Sequence, residues 1–181
     1  DLLAGKIPGE VQLDLKEAAS RHSAPIVKEK LAACQEQLHD LSGAAQYPDC
    51  LVGGDAENGQ RIFREHVQAA CIRCHKINGE GGEAAPDLTQ IGFRGSRTYI
   101  LESITFPNAK LAAGFETVQV VLNNGTSAAG VVKRETDQEL DLFSLEDGLV
   151  TIKKGDIKSR TITLSGMPDN LRQILNRREI R

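Results

Sequence analysis

The sequence predicts a mainly α-helical chain with a helical hairpin at its start and a small antiparallel β insertion in its second half. Three observations predict it. Apolar residues recur at helical spacing over residues 24–41 and again over 97–106. From Phe115 the period drops to two, with Val118, Val120 and Leu122 alternating with Thr117, Gln119 and Val121. Residues suited to capping, Asp14, Ser23, Asp55 and Ser96, stand at the head of successive runs.

Taken in order, Asp14 is expected to cap a helix over Leu15 to His22. Ser23 caps a second, from about Ala24 to Leu41, with Pro25 in its first turn where a missing N–H costs nothing. Ile26, Val27, Leu31, Leu38 and Leu41 make it amphipathic. These two helices form a hairpin rather than a domain and need a neighbour. Residues 42–54 read as loop, and Asp55 starts a helix that includes Ile62 and Phe63. Residues 76–95 are rich in glycine and read as irregular. Ser96 caps a helix through Tyr99, Ile100, Leu101 and Ile104 that ends before Pro107.

After the first strand, Asn123-Asn124-Gly125 turns the chain. Further strands are expected over Thr126–Lys133, Glu139–Leu145, Leu149–Lys153 and Ile157–Leu164, enough for a small antiparallel sheet or barrel. Pro168 opens a closing helix through Leu171, Ile174 and Leu175.

The chain has 181 residues, long enough to bury a core, and lacks tryptophan, so aliphatic residues must carry that burial. Its 22 basic and 25 acidic residues leave a net charge of −3, with the acidic excess in the first 50 residues. That balance argues against nucleic-acid binding, which needs a basic face. No run approaches the ~18 apolar residues that suggest a membrane span. Asp1-Leu2-Leu3-Ala4-Gly5-Lys6 lacks the basic start and apolar run of a signal peptide, so a mature, trimmed or partial chain is expected.

Cys71-Ile72-Arg73-Cys74-His75 carries the chemistry. In CxxCH the two thiols lie close enough to add to both vinyl groups of one haem, and the histidine then reaches the iron as an axial ligand. A zinc site needs four ligands, and only His66 is spare nearby. A thioredoxin-type pair wants a βαβ context, whereas the flanks here are a capped helix and a glycine-rich loop. The motif therefore implies one covalently attached haem c.

With Gly59 and Phe63 on the preceding helix and Pro86-Asp87-Leu88 after it, the motif resembles a class I cytochrome c. The resemblance implies a mainly α cytochrome c fold, in which the early helix packs on a C-terminal one. It also implies that the Pro86 carbonyl accepts the Nδ1–H of His75 and so orients the ring. Gly79-Glu80-Gly81-Gly82, Pro86 to Gly92, Ser96-Arg97, Leu101 to Ile104 and Leu164-Ser165-Gly166-Met167-Pro168 are similar to the C-terminal haem-binding domain of large planctomycete and verrucomicrobial proteins. In that lineage a β-rich segment separates the haem-binding half from the distal methionine. The expected organisation is a hairpin and linker over 1–52, a haem-binding half over 53–115, the β insertion over 116–163, and the distal loop and C-terminal helix over 164–181.

Met167 is the only methionine and lies 92 residues after His75. With the β segment set aside, that separation becomes ordinary for a compact cytochrome c. The expected cofactor-binding set is Cys71, Cys74, His75, Pro86 and Met167, with His75 and Met167 as metal ligands. A thioether favours Fe(II) and raises the potential relative to bis-histidine ligation. His22 and His39 read as solvated, and His66 as too close to the proximal side. Cys34 and Cys50 either form a disulfide, worth up to about 3 kcal/mol, or are two buried thiols. Arg73, Lys76, Arg94 and Arg97 are either a docking patch for an acidic redox partner or solvated surface, with Arg73 and Arg97 alternatively on the haem propionates.

The expected function is electron transfer between redox partner proteins, without catalytic residues, in the periplasm or another extracytoplasmic compartment. The alternatives are a haem-based small-ligand sensor or peroxidase-like site, and an electron-accepting module of a fused or associated dehydrogenase. The chain stops at Arg181, short of the family's longer C-terminal helix. Truncation, the N-terminal hairpin or a second subunit in a homodimer would each account for the surface around Gly59 and Phe63.

Overall fold

The computed structural model describes residues 6–181. The reading of Asp1-Leu2-Leu3-Ala4-Gly5-Lys6 as no signal peptide rests mostly on residues 1–5, which lie outside the described residues. The helices are α1 (Gly9–Arg21), α2 (Pro25–His39), α3 (Ala56–Glu65), α4 (Cys71–Cys74), α5 (Ile91–Arg94), α6 (Arg97–Thr105), α7 (Leu171–Ile174) and α8 (Arg177–Ile180). The strands are β1 (Lys76–Ile77), β2 (Glu80–Gly81), β3 (Thr117–Leu122), β4 (Ser127–Glu135), β5 (Glu139–Ser144), β6 (Gly148–Lys153) and β7 (Ile157–Ile162). They fall into two compact units that do not follow chain order.

Among the described residues, the helical unit comprises those from 6 to 69, Gly92–Phe106 and Asn170–Arg181. Its first helix starts well before Asp14, because Pro8 takes the N-cap position with φ already at −53°. Asp14 therefore lies inside α1, where its carboxylate accepts from Arg178 at 2.6 Å. The cap of α2 is Ala24, with no side-chain hydrogen bond, so Ser23 sits one residue too early to serve. Asp55 and Ser96 do cap, accepting the N–H of Asn58 and of Tyr99.

Ala44, Cys50 and Leu101 are buried together, with Tyr47, Leu51 and Ile180 packed against them. Asp49 is fully buried beside them and takes Lys16 Nζ at 3.1 Å and Arg177 Nη1 at 2.5 Å. Two cations on one buried carboxylate leave neither oxygen unpaired, and they join α1 and α8 to the turn after residue 47. The hairpin thus finds its neighbour in the C-terminal segment. That segment is not one helix: Asn176 accepts from the N–H groups of Arg178 and Glu179, and Glu179 accepts from Asn176, so a capping box restarts the chain as α8. The early helix α3 contacts α8, but a Cβ on Gly59 would meet nothing within 4 Å.

Cys34 and Cys50 are both free and buried, so the disulfide alternative is not realised. Cys50 Sγ donates instead to the carbonyl of Arg177 at 3.4 Å, and burial pushes its thiol up to about 11.

The second unit comprises Ala70–Ile91 and Pro107–Asp169. Its antiparallel sheet has the order β6-β5-β4-β3-β7, a meander whose last strand returns beside the first. The alternation seen in the sequence is why: Val118, Val120, Leu140, Leu142 and Ile152 pack as one core, while Gln119 and Thr151 are exposed. Between Val132 and Arg134 the β4–β5 register shifts, leaving Lys133 in a bulge. The expectation of a mainly helical chain needs correcting here. A five-stranded sheet takes up much of the second half, because this segment supplies an aliphatic core of its own.

Candidate haem-binding site

The CxxCH turn is entered through Ala70, whose φ of 45° is left-handed and costs a non-glycine residue ~1 kcal/mol. One helical turn, α4, then sets Cys71 and Cys74 on successive rungs, and His75 leaves it in extended backbone. Its imidazole meets the carbonyl oxygen of Pro86 at 2.8 Å. A carbonyl can only accept, so Nδ1 carries the proton and Nε2 keeps its lone pair for a metal.

Residues 76–88 wrap this turn. Lys76 and Ile77 pair with Gly81 and Glu80 across an Asn78-Gly79 turn, both of whose residues have positive φ, as a type I′ hairpin requires. Gly82 N–H then donates to Ile72 O at 2.9 Å, Ala85 N–H to Cys74 O at 3.0 Å, and Leu88 N–H to Lys76 O at 2.8 Å. A Cβ on Gly82 would lie 1.9 Å from the Arg73 carbonyl oxygen, and one on Gly81 2.2 Å from that of His75. Only glycine lets the loop approach the turn this closely.

Both thiols are free and partly buried, and that burial raises their pKa values above the ordinary thiol range. Burial also lowers that of His75, with the Pro86 bond opposing, so the ring is disposed to be neutral. Among the described residues no group of three or more His, Cys, Asp or Glu could hold a metal ion. Two neighbouring thiols beside one oriented histidine fit a covalently held porphyrin far better than a zinc centre.

Residues 56–144 match the cytochrome c family. The match supports a c-type cytochrome, a family of haem-binding electron carriers, and implies covalently attached haem c. It runs from the first residue of α3 through the cradle and α6 to the end of β5. No curated protein matches the chain. Cytochrome c domains are typically extracytoplasmic, and among the described residues no helix is long and apolar enough to cross a membrane.

Met167 lies beyond the matched residues, half-buried in the loop after β7. Its N–H donates to Ser165 Oγ at 3.1 Å, and Ser165 N–H to Asn108 Oδ1 at 2.8 Å, so the loop is tied to the stretch that leads into β3. The other histidines are used locally or lie in the open: His22 Nδ1 accepts from Ala24 N–H, His66 Nδ1 accepts from Ala69 N–H, and His39 is exposed. Of the four basic residues singled out, Lys76 pairs with Glu83 and Arg97 donates to Leu51 O at 3.0 Å, while Arg73 and Arg94 are exposed. Sequence reasoning missed Lys133, whose ammonium donates to the Glu83 carbonyl at 2.5 Å. A lysine near a strand end carries no local signal of such a partner.

Proposed function

We propose that this protein is a monohaem c-type cytochrome that moves single electrons between redox partner proteins, with His75 and Met167 as axial ligands. When bound, the haem supplies one-electron exchange between Fe(III) and Fe(II). Cys71 and Cys74 would hold the porphyrin through thioethers, and His75 Nε2 would ligate the iron. Pro86 fixes the tautomer and plane of the His75 ring by accepting its Nδ1–H, and makes the imidazole a better donor. That single bond carries the reading, since it orients a neutral histidine with its lone pair free.

Met167 is the proposed sixth ligand because it is the only thioether in the chain and sits on a pinned loop. No group is assigned a proton-transfer or nucleophilic role, so the protein is read as a carrier rather than an enzyme. Its partners are redox proteins, a fused or associated dehydrogenase among them, in an extracytoplasmic compartment.

The test is the optical spectrum of the holoprotein. A pyridine haemochrome assay should give one c-type haem per chain, and the oxidised protein should show the weak red charge-transfer band of methionine ligation. Met167→Ala should abolish that band; its survival would mean another sixth ligand. Rapid carbon monoxide binding by the reduced wild type would favour the sensor reading instead.

A further inference from the structure

We propose that Lys133 is a positioning residue for His75, reaching it through the Glu83–Pro86 segment; this rests on the reading of His75 as an iron ligand. The bulge between Val132 and Arg134 takes Lys133 out of the β4–β5 ladder. Bulges re-aim side chains in this way, commonly beside functional sites. Its ammonium donates to the Glu83 carbonyl at 2.5 Å and lies 5.3 Å from the centroid of Phe115 and 5.6 Å from that of Phe143. Lys133 is exposed, and the two aromatic rings beside its ammonium favour this position over others open to it.

The Glu83 peptide is a sensitive place to pull. Gly82 before it is fixed to Ile72, Ala85 after it to Cys74, and Pro86 next to His75 Nδ1–H. Between those anchors the Glu83 carboxylate is paired with Lys76, itself next to His75, and its carbonyl takes Lys133. Lys76 belongs to the cradle and moves with it. Lys133 does not: it comes from a sheet with a separate aliphatic core. It is therefore a contact that gives the loop a reference outside the cradle, and the sheet acts on the iron ligand through it.

The test follows the His75 Nδ1–H in the reduced, diamagnetic holoprotein by nitrogen-15 NMR. Losing a charge-assisted tether should speed exchange of that proton with solvent about tenfold in Lys133→Met. Lys133→Arg, which keeps a cationic donor, should stay near the wild-type rate. Arg134→Met removes the same charge from the next residue, whose partners are Asp141 and Glu139, and should leave the exchange unchanged. A Lys133→Met rate close to wild type, or an equal acceleration by Arg134→Met, would overturn the proposal. If Lys133→Met does not fold, Lys133→Gln is read by the same criteria. The haemochrome assay on the same samples separates the two ideas. Wild type without haem c sinks the functional reading, while His75 exchange in the chain as isolated still reports on the tether.

Discussion

The cradle around the CxxCH turn and the sheet that follows it belong to one unit but keep their shapes by different means. From Ala70 to Ile91 no side chain is fully buried; the segment is shaped by backbone bonds onto the carbonyls of Ile72, Cys74 and Lys76. In the sheet, Val120 and Leu140 have no exposed surface, and aliphatic side chains interlock. A backbone-shaped segment is most sensitive to an added Cβ where the chain passes close to itself, whereas a packed core is most sensitive to lost side-chain volume.

That contrast is open to direct attack. The largest effect should come from Gly82→Ala, because an atom 1.9 Å from the Arg73 oxygen forces the backbone apart. A loss of about 4 kcal/mol is expected, together with a collapse of covalent haem content measured by absorbance per chain. Leu140→Ala should follow, costing about 3 kcal/mol in urea unfolding through the cavity it leaves, with haem content preserved. If the sheet variant loses haem as fully as the cradle variant, the two regions do not differ as described.

The smallest effect should be a change with pH. Asp141 is buried in the sheet, where its carboxylate accepts from Arg134 Nε at 2.6 Å and Thr151 Oγ1 at 2.7 Å. The Arg134 bond, then the Thr151 bond, holds it below the ordinary value of 3.8. The unfolded chain therefore takes up the proton first. The stabilisation is complete above the ordinary value and disappears as pH falls through the lower folded one. Asp141→Asn should flatten the acid limb of the urea midpoint below about pH 4, and an unchanged slope would acquit this carboxylate.

Much of the sheet was legible because burial on one face writes itself into the sequence as alternation, as at Val118 and Val120. The cradle's chemistry was legible because CxxCH needs adjacent residues. Most of what stayed hidden depends on distant partners. Asp14 looks like a cap until Arg178, at the far end of the chain, claims it. The apolar spacing of Leu171, Ile174 and Leu175 reads as one helix, while the Asn176–Glu179 box that divides it was available to local reasoning. Asp49 gave no sign of lying between Lys16 and Arg177, nor Lys133 of reaching Glu83.

The cradle's bonds also have a bearing on time. His75 and Pro86 are eleven residues apart, and the other ties within the cradle are as local. Closing such short loops is entropically cheap and fast. The sheet is different: β7 must return past three strands to pair Val118 with Ile162. As the chain emerges, the local ties among Cys71, Cys74, His75 and Pro86 can therefore form once Leu88 is out, long before the strand that completes the sheet or the Lys133 bond to Glu83. Met167 follows the last strand. The chain's own order of emergence thus completes the CxxCH cradle first and adds the loop that carries Met167 afterwards.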